Sequence, residues 1–233
     1  MSGLHNHANG QYGHQHSYHK FASYYNVVSL SLPRVMGNAG YRTGHIGKYH
    51  VAPEEVYHYE TYLKGNGRNA VQMAEAAKEF ITADEDKPFF LYFATSDPHR
   101  GGGKDDRFPG KHKPDLFGNK PNGESHPGVD EVIFDPKDVI VPPFLPDTPE
   151  SRSELAHYYQ SCSRIDQGVG KLVEILKEAD LYDKTLIVFT ADHGMAFPGG
   201  KTTVFEGGLR VPFVVRNPYE TNRGLKSEAL ISH

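Results

Sequence analysis

Asp192 and His193 stand side by side after the apolar, β-prone run 186–189 and just before Gly194. Such a run reads as a buried strand of a mostly parallel sheet. Its C-terminal end is the edge at which open α/β sheets bind ligands. Gly199-Gly200-Lys201 then brings a cation back beside them on a turn, and Glu206-Gly207-Gly208 makes a second bend. Residues 211–215 return as another buried strand. A carboxylate, a metal-capable imidazole and a lysine at one sheet edge suit a metal ion holding an anionic substrate. Taken alone, Asp-His-Gly is also a common turn in which Asp caps and Gly takes a positive φ.

Two further groups of this character lie upstream. Residues 42–51 read as a strand entering the same edge, and alternation along Lys48-Tyr49-His50 puts Lys48 and His50 on one face. Two cationic groups side by side repel unless an anion lies between them, which marks an anion site; the alternative is a solvated strand end. The run 89–94 is a second continuous apolar strand, and Asp97-Pro98-His99-Arg100 follows it, with Pro98 stiffening the turn that presents His99. A histidine there can supply a proton near neutral pH or serve as an ordinary loop residue. Cys162, the one thiol, falls on a helical stripe and reads as a small buried hydrophobe. Five of the 14 histidines (His5, His7, His14, His16 and His19) crowd residues 2–19, but their irregular spacing among Gly and Asn reads as loop.

These groups need a scaffold. Residues 27–39 read as a helix that Pro33 either starts or kinks, with a stop at Asn38-Ala39-Gly40. Residues 69–82 form a second helix, with Val71, Ala74, Ala77 or Lys78, and Ile81 along one side, and 84–87 a charged turn. Thr148 opens a long helix reaching about residue 179, whose stripe is Leu155, Tyr158, Cys162, Ile165, Val169, Leu172 and Leu176. Between them, 101–149 is Gly/Pro-rich and aperiodic. A loop of that length reads as substrate-shaping segments over the sheet edge, or else as a disordered linker. Residues 228–233 begin one more β-like run. The alternation predicts an α/β fold, with strands near 43–50, 88–95, 185–190 and 211–215 in one mixed or parallel sheet and helices on its faces. Lys48, His50, His99, Asp192, His193 and Lys201 would then gather around one cleft.

With 233 residues, the chain can form one large α/β domain or two small ones. A hydrophobic content of 37% suffices for a core, while 24 Gly and 16 Pro imply much ordered loop. A net charge of −4 without a basic run argues against a nucleic-acid surface. No apolar run approaches the about 18 residues of a membrane span, and the polar, His-rich start does not read as a signal peptide. A single Cys cannot form an internal disulfide.

The motif DHG-x₆-KTT-x-x-EGG-x-RVP, from Asp192 to Pro212, resembles the second conserved motif region of the sulfatases, in the alkaline-phosphatase superfamily. GYRT-x-x-IGK-x-H, from Gly40 to His50, resembles another sulfatase motif, and FFLYFATSDPHR resembles the sulfatase strand whose histidine faces the leaving group. Arg164-Ile165-Asp166-x-x-Val169-Gly170 resembles the helix preceding the DHG strand. SGLHNHANGQYGH resembles the loop that comes just after the catalytic signature C-x-P-S-R. GKYHVAPEEVY, DPHR, VIVPPFLPDTP and DQGVG look closest to the family branch that removes N-linked sulfate from glucosamine of heparan-type saccharides.

The resemblance implies an alkaline-phosphatase-like, mixed and mainly parallel sheet flanked by helices, with residues 1–233 a single partial catalytic domain. It implies Asp192 and His193 as ligands of a divalent metal, normally Ca²⁺. Lys48 and Lys201 would grip sulfate oxygens, His50 would assist turnover of the formylglycine hydrate, and His99 would protonate the leaving nitrogen or oxygen. The nucleophile, a signature cysteine converted to formylglycine, is expected upstream of residue 1, and the chain is expected to be cut at both ends. Cys162-Ser163-Arg164 lacks the proline of that signature. A sulfated sugar and a formylglycine-generating enzyme are the implied partners, and a periplasmic, secreted or lysosomal setting the implied compartment. Two departures stand out. The family's other metal ligands, an N-terminal Asp pair and the formylglycine, are not in the chain. His193 stands where many sulfatases carry Asn, and imidazole is a softer ligand than Ca²⁺ prefers. The alternatives are a phosphodiesterase or phosphatase of the same superfamily, or an inactive fragment.

Overall fold

Arg42–Gly47 forms strand β1, buried from Thr43 through Ile46 as befits a strand with neighbours on both edges. Strands β2 (Thr61–Leu63) and β3 (Phe89–Ala94) flank it in parallel, in the order β2-β1-β3. Gly44 pairs with Thr61 on one side and Leu91 on the other. The Lys48 N–H continues the ladder to Ala94 O at 2.8 Å. β1 nevertheless ends at Gly47, whose φ of 92° suits glycine. Lys48 and His50 therefore lie beyond the strand, and strand alternation does not fix their faces.

The computed structural model describes residues 1–11, 22–83, 86–101, 103, 113–120 and 124–231. His14, His16, His19 and the tip of the charged turn at 84–85 fall outside the described residues. The chain divides into two units, Met1–Gly65 with Ala76–Ala94 and Asn222–His233, and Asn66–Glu75 with Thr95–Thr221. The first holds the parallel sheet, the single turn α1 (Asn6–Asn9), a 3₁₀ turn at Tyr25–Leu30 and helix α2 (Leu32–Asn38). The helix expected over 27–39 is thus two pieces. Pro33 sits in the first turn of the second, where its missing N–H would be unpaired anyway. Val27, Val56 and Tyr57 form a core with Met1, Leu4, Val28, Tyr49 and Val51 packed against it. Helix α3 (Ala70–Thr82) passes from one unit to the other after Glu75. Val71, Ala74, Ala77 and Ile81 are buried on the expected side, joined by Met73 and Phe80.

The second unit is built on helix α4 (Pro149–Glu178). Thr148 caps it as expected, its Oγ1 accepting from Ser151 N at 3.3 Å. The buried face differs from the stripe read in the sequence. Leu155 and Leu176 are buried, but Tyr158, Cys162, Ile165, Val169 and Leu172 are only half-buried. Ser153, His157, Gln160, Ser161 and Arg164 take the inner positions instead. Hydrogen-bonded partners make that burial tolerable. The core combines Leu155 and Ala156 with Phe117, Val139, Leu145 and Phe197. Three of these come from 101–149, whose described residues before α4 form no helix or strand yet pack inside rather than trail as a linker.

Strands β4 (Ile187–Thr190) and β5 (Phe213–Arg216) pair antiparallel, Val188 opposite Val215, in a sheet separate from β1–β3. Two expectations are corrected here: a single sheet, and burial of both runs. Leu186, Val188, Phe189, Phe213, Val214 and Val215 are exposed. An apolar β-branched run specifies a strand, whereas its neighbours and cover are set by tertiary context. Glu206–Leu209 is a single helical turn, α5, rather than a bend. Residues 228–231 form no strand. Among the described residues no helix is long and apolar enough to cross a membrane.

Candidate active site

Beyond Ala94 the chain turns back on itself, His99 N–H bonding Ser96 O at 2.9 Å. The His99 ring is oriented at both nitrogens. Nδ1 lies 2.7 Å from Arg100 O, and since a carbonyl only accepts, Nδ1 carries the proton and donates it. Nε2 is then the bare nitrogen, and Lys201 Nζ donates to it at 3.2 Å. The loop carrying Lys201 is pinned by its own N–H, which bonds Met195 O at 2.8 Å. An imidazole and a lysine 102 positions apart thus meet as the sequence predicts.

Beneath His99 lies a network that sequence reading missed. Asp97 is buried, and its Oδ1 accepts from Arg68 Nη1 at 2.9 Å while Oδ2 accepts from Arg164 Nε at 2.8 Å. Arg164 is fully enclosed and also donates to Phe117 O at 2.9 Å, Ser161 Oγ at 3.3 Å and Asn119 Oδ1. Arg100 bonds Ala196 O at 2.9 Å and Glu154 at 2.6 Å, with its guanidinium about 5 Å from the ring centres of Phe117 and Phe197. An open pocket of about 670 Å³ beside Lys201 is lined by Arg100, Glu154, Phe197, Thr202 and Thr203. Arg164 lies within a motif and Asp97 two residues before His99, but charge alone gives no hint of burial. Cys162 lies near this network, and burial pushes its thiol up to about 11, the opposite of an activated nucleophile.

Asp192 and His193 follow β4. His193 Nδ1 donates to Gly194 O at 2.9 Å, which leaves Nε2 bare, 3.4 Å from Asp192 Oδ2. The pair is open to solvent and could contribute to holding a divalent cation. It supplies two donors, and among the described residues no group of three or more His, Cys, Asp and Glu is placed to hold a metal. Gly194 is not in the left-handed region that a turn reading assigns it. It is small because the chain crosses it: a Cβ there would lie 2.8 Å from the Gly207 carbonyl carbon and 3.0 Å from Gly208 Cα.

Lys48 and His50, both half-buried, belong to the first unit, and the other four candidates to the second. Lys48 is held from behind. His45, buried among the rings of Tyr49, Tyr59, Tyr62 and Tyr92, donates from Nε2 to Lys48 O at 3.0 Å. Burial lowers the pKa of His45, and its bond to Lys48 partly opposes that shift. His5 and His7 stack with their ring centres 5.9 Å apart on exposed positions.

The first unit thus carries parallel strands, and the second a histidine–lysine contact and an acid–imidazole pair on its loops. The chain belongs to the sulfatase family, whose profile matches residues 2–233. It is 39% identical over 241 residues to human N-sulphoglucosamine sulphohydrolase, a match covering 100% of this chain and 47% of that protein. Among solved structures, a Bacteroides thetaiotaomicron protein from the metabolism of multiple glycosaminoglycans superposes with a TM-score of 0.71 at 14% identity, covering 94% of this chain and 54% of that one. A protein solved with its substrate D-glucosamine-2-N,6-O-disulfate superposes at 0.55 with 18% identity, covering 94% and 60%. The chain therefore spans about half the length of these relatives. The fold is that of the alkaline-phosphatase-like sulfatases, represented in part.

Proposed function

We propose that this chain supplies the anion-gripping and proton-transfer half of a sulfatase site that removes N-linked sulfate from glucosamine in heparan-type saccharides. The 3.2 Å contact between His99 Nε2 and Lys201 Nζ carries the reading. It sets a proton carrier against a cation in a chain 39% identical to an N-sulphoglucosamine sulphohydrolase. Lys201 and Lys48 place ammonium charges against the terminal oxygens of the sulfuryl group, where charge develops during transfer. His99, bare at Nε2, takes up a proton there and delivers it to the departing nitrogen or oxygen. His50 assists turnover of the formylglycine hydrate, a nucleophile expected upstream of residue 1. Asp192 and His193 would hold a divalent ion, Ca²⁺ by family pattern, which when bound supplies Lewis-acid charge to the sulfuryl oxygens.

The test measures turnover of N-sulfoglucosamine, an aryl sulfate and a phosphate diester. Two forms are compared: this chain, and a form extended upstream through the signature cysteine and co-expressed with a formylglycine-generating enzyme. The extended form is expected to prefer N-sulfoglucosamine, and its His99→Ala and Lys201→Ala variants to lose about 10²- to 10⁴-fold in kcat. This chain alone is expected to be inert, because loss of a covalent nucleophile costs roughly 10⁴- to 10⁶-fold. An extended form inert on both sulfates but active on the diester would move the protein to the phosphodiesterases.

A further inference from the structure

Arg68 makes a set of bonds that charge neutralisation does not explain. Its Nη1 donates to Asp97 Oδ1 at 2.9 Å, but Arg164 already pairs with the same carboxylate at 2.8 Å. The remaining Arg68 contacts go to backbone carbonyls: His99 O at 2.8 Å, Phe117 O at 3.2 Å and, through Nη2, Gly101 O at 3.1 Å. His99 O and Gly101 O flank the peptide carbonyl of Arg100, which is the acceptor for the His99 Nδ1 proton at 2.7 Å. With both neighbours tied to one planar guanidinium, the Arg100 carbonyl has little freedom to rotate away from the imidazole. Asp97, held by the fully enclosed Arg164, is the rigid post to which the strap is fixed.

We propose that Arg68 is a positioning residue for His99: by strapping the backbone on both sides of Arg100, it keeps the proton on Nδ1 and presents bare Nε2 to Lys201. Its value to catalysis rests on the sulfatase reading, but the geometry and its test need no turnover. A lysine at this position would keep the charge beside Asp97 and lose the fork that spans several carbonyls. Arg152 provides a matched control in the same unit. It too joins a carboxylate, Asp147, to three carbonyls, those of Pro136, Lys137 and Val139, far along the sequence from His99.

The experiment uses the chain as it stands, labelled with ¹⁵N-histidine. Long-range ¹H–¹⁵N correlation of the imidazole rings reads the tautomer, and His99→Gln assigns the His99 signals. The unsubstituted chain should show His99 with its proton on Nδ1. Arg68→Lys should reduce the Nδ1-H to Nε2-H ratio roughly fivefold or more, the worth of one ordinary hydrogen bond, while Arg152→Lys leaves it unchanged. Circular dichroism confirms that each variant is folded; if Arg68→Lys is not, Arg68→Gln, a neutral donor of shorter reach, replaces it with the same expectation. An Nε2-H tautomer in the unsubstituted chain, an unchanged ratio in the Arg68 variant, or an equal shift in Arg152→Lys would overturn the proposal. Because no substrate is involved, none of these outcomes depends on whether the protein is a sulfatase.

Discussion

Arg164→Met is the sharpest test of the second unit. It removes a guanidinium with no exposed surface and leaves four acceptors behind, on Asp97, Asn119, Phe117 and Ser161. Breaking a buried ion pair from one side costs about 3–5 kcal/mol, most of it from the uncompensated charge left behind. Two features place the cost near the lower bound. Asp97 keeps Arg68 at 2.9 Å, and Phe117 O keeps its Arg68 contact at 3.2 Å. About 3 kcal/mol is therefore expected. For a chain of this size that corresponds to a fall in Tm of roughly 6–12 °C. The assay is thermal and urea unfolding followed by circular dichroism at 222 nm, where α4 dominates. Arg210→Met serves as the contrast, because its pair with Glu206 is exposed and should be worth at most about 0.5 kcal/mol. A Tm for Arg164→Met within 2 °C of the parent, by an estimate of about 2–4 °C per kcal/mol, would refute the buried-pair account.

Three other outcomes follow from single positions. Helix propensity favours Gly168→Ala by about 1 kcal/mol, yet a Cβ there would lie 2.8 Å from the Ala70 carbonyl carbon and 2.9 Å from its oxygen. A net loss of about 1–3 kcal/mol is expected on urea unfolding, and a gain would show that α3 and α4 do not approach so closely. Cys162, with its thiol at about 11, should react with iodoacetamide at pH 8 at least about 100-fold more slowly in the native chain than in urea; equal rates would contradict its burial. His45 has a pKa lowered mainly by burial, so stability is full above the unfolded value near 6.5 and is lost as pH falls through it. Urea unfolding at pH 7 and pH 5.5 should show a smaller loss in His45→Phe than in the parent, and equal losses would count against this role.

Much of the scaffold was legible because local rules and tertiary structure agree there. Thr148 starts α4, Pro33 sits at a helix start, and the runs that became β1, β3, β4 and β5 are strands. His99 and Lys201 were predicted to converge, and they touch. What escaped was whatever depended on partners remote in sequence. β2 is three residues long, too short for periodicity to register. β4 and β5 pair with each other and apart from β1, a choice that no apolar run encodes. On α4 the apolar side chains mark the stripe, while a fully buried position goes to Arg164, whose burial depends on a carboxylate 67 residues away. The six candidate residues carried their own chemistry in their side-chain types, but the arginines that hold the loop around His99 did not advertise themselves.

The polar inner face of α4 also constrains how that helix can find its place. A helix with a purely greasy stripe can settle one turn early or late and bury nearly the same area. Sliding α4 by a turn would carry the Arg164 guanidinium about 5.4 Å along the axis, away from Asp97 and Asn119. The misaligned state would thus strand a charge, whereas the aligned one satisfies it. Helix α4 is therefore keyed to the one depth at which Arg164 reaches both Asp97 and Asn119.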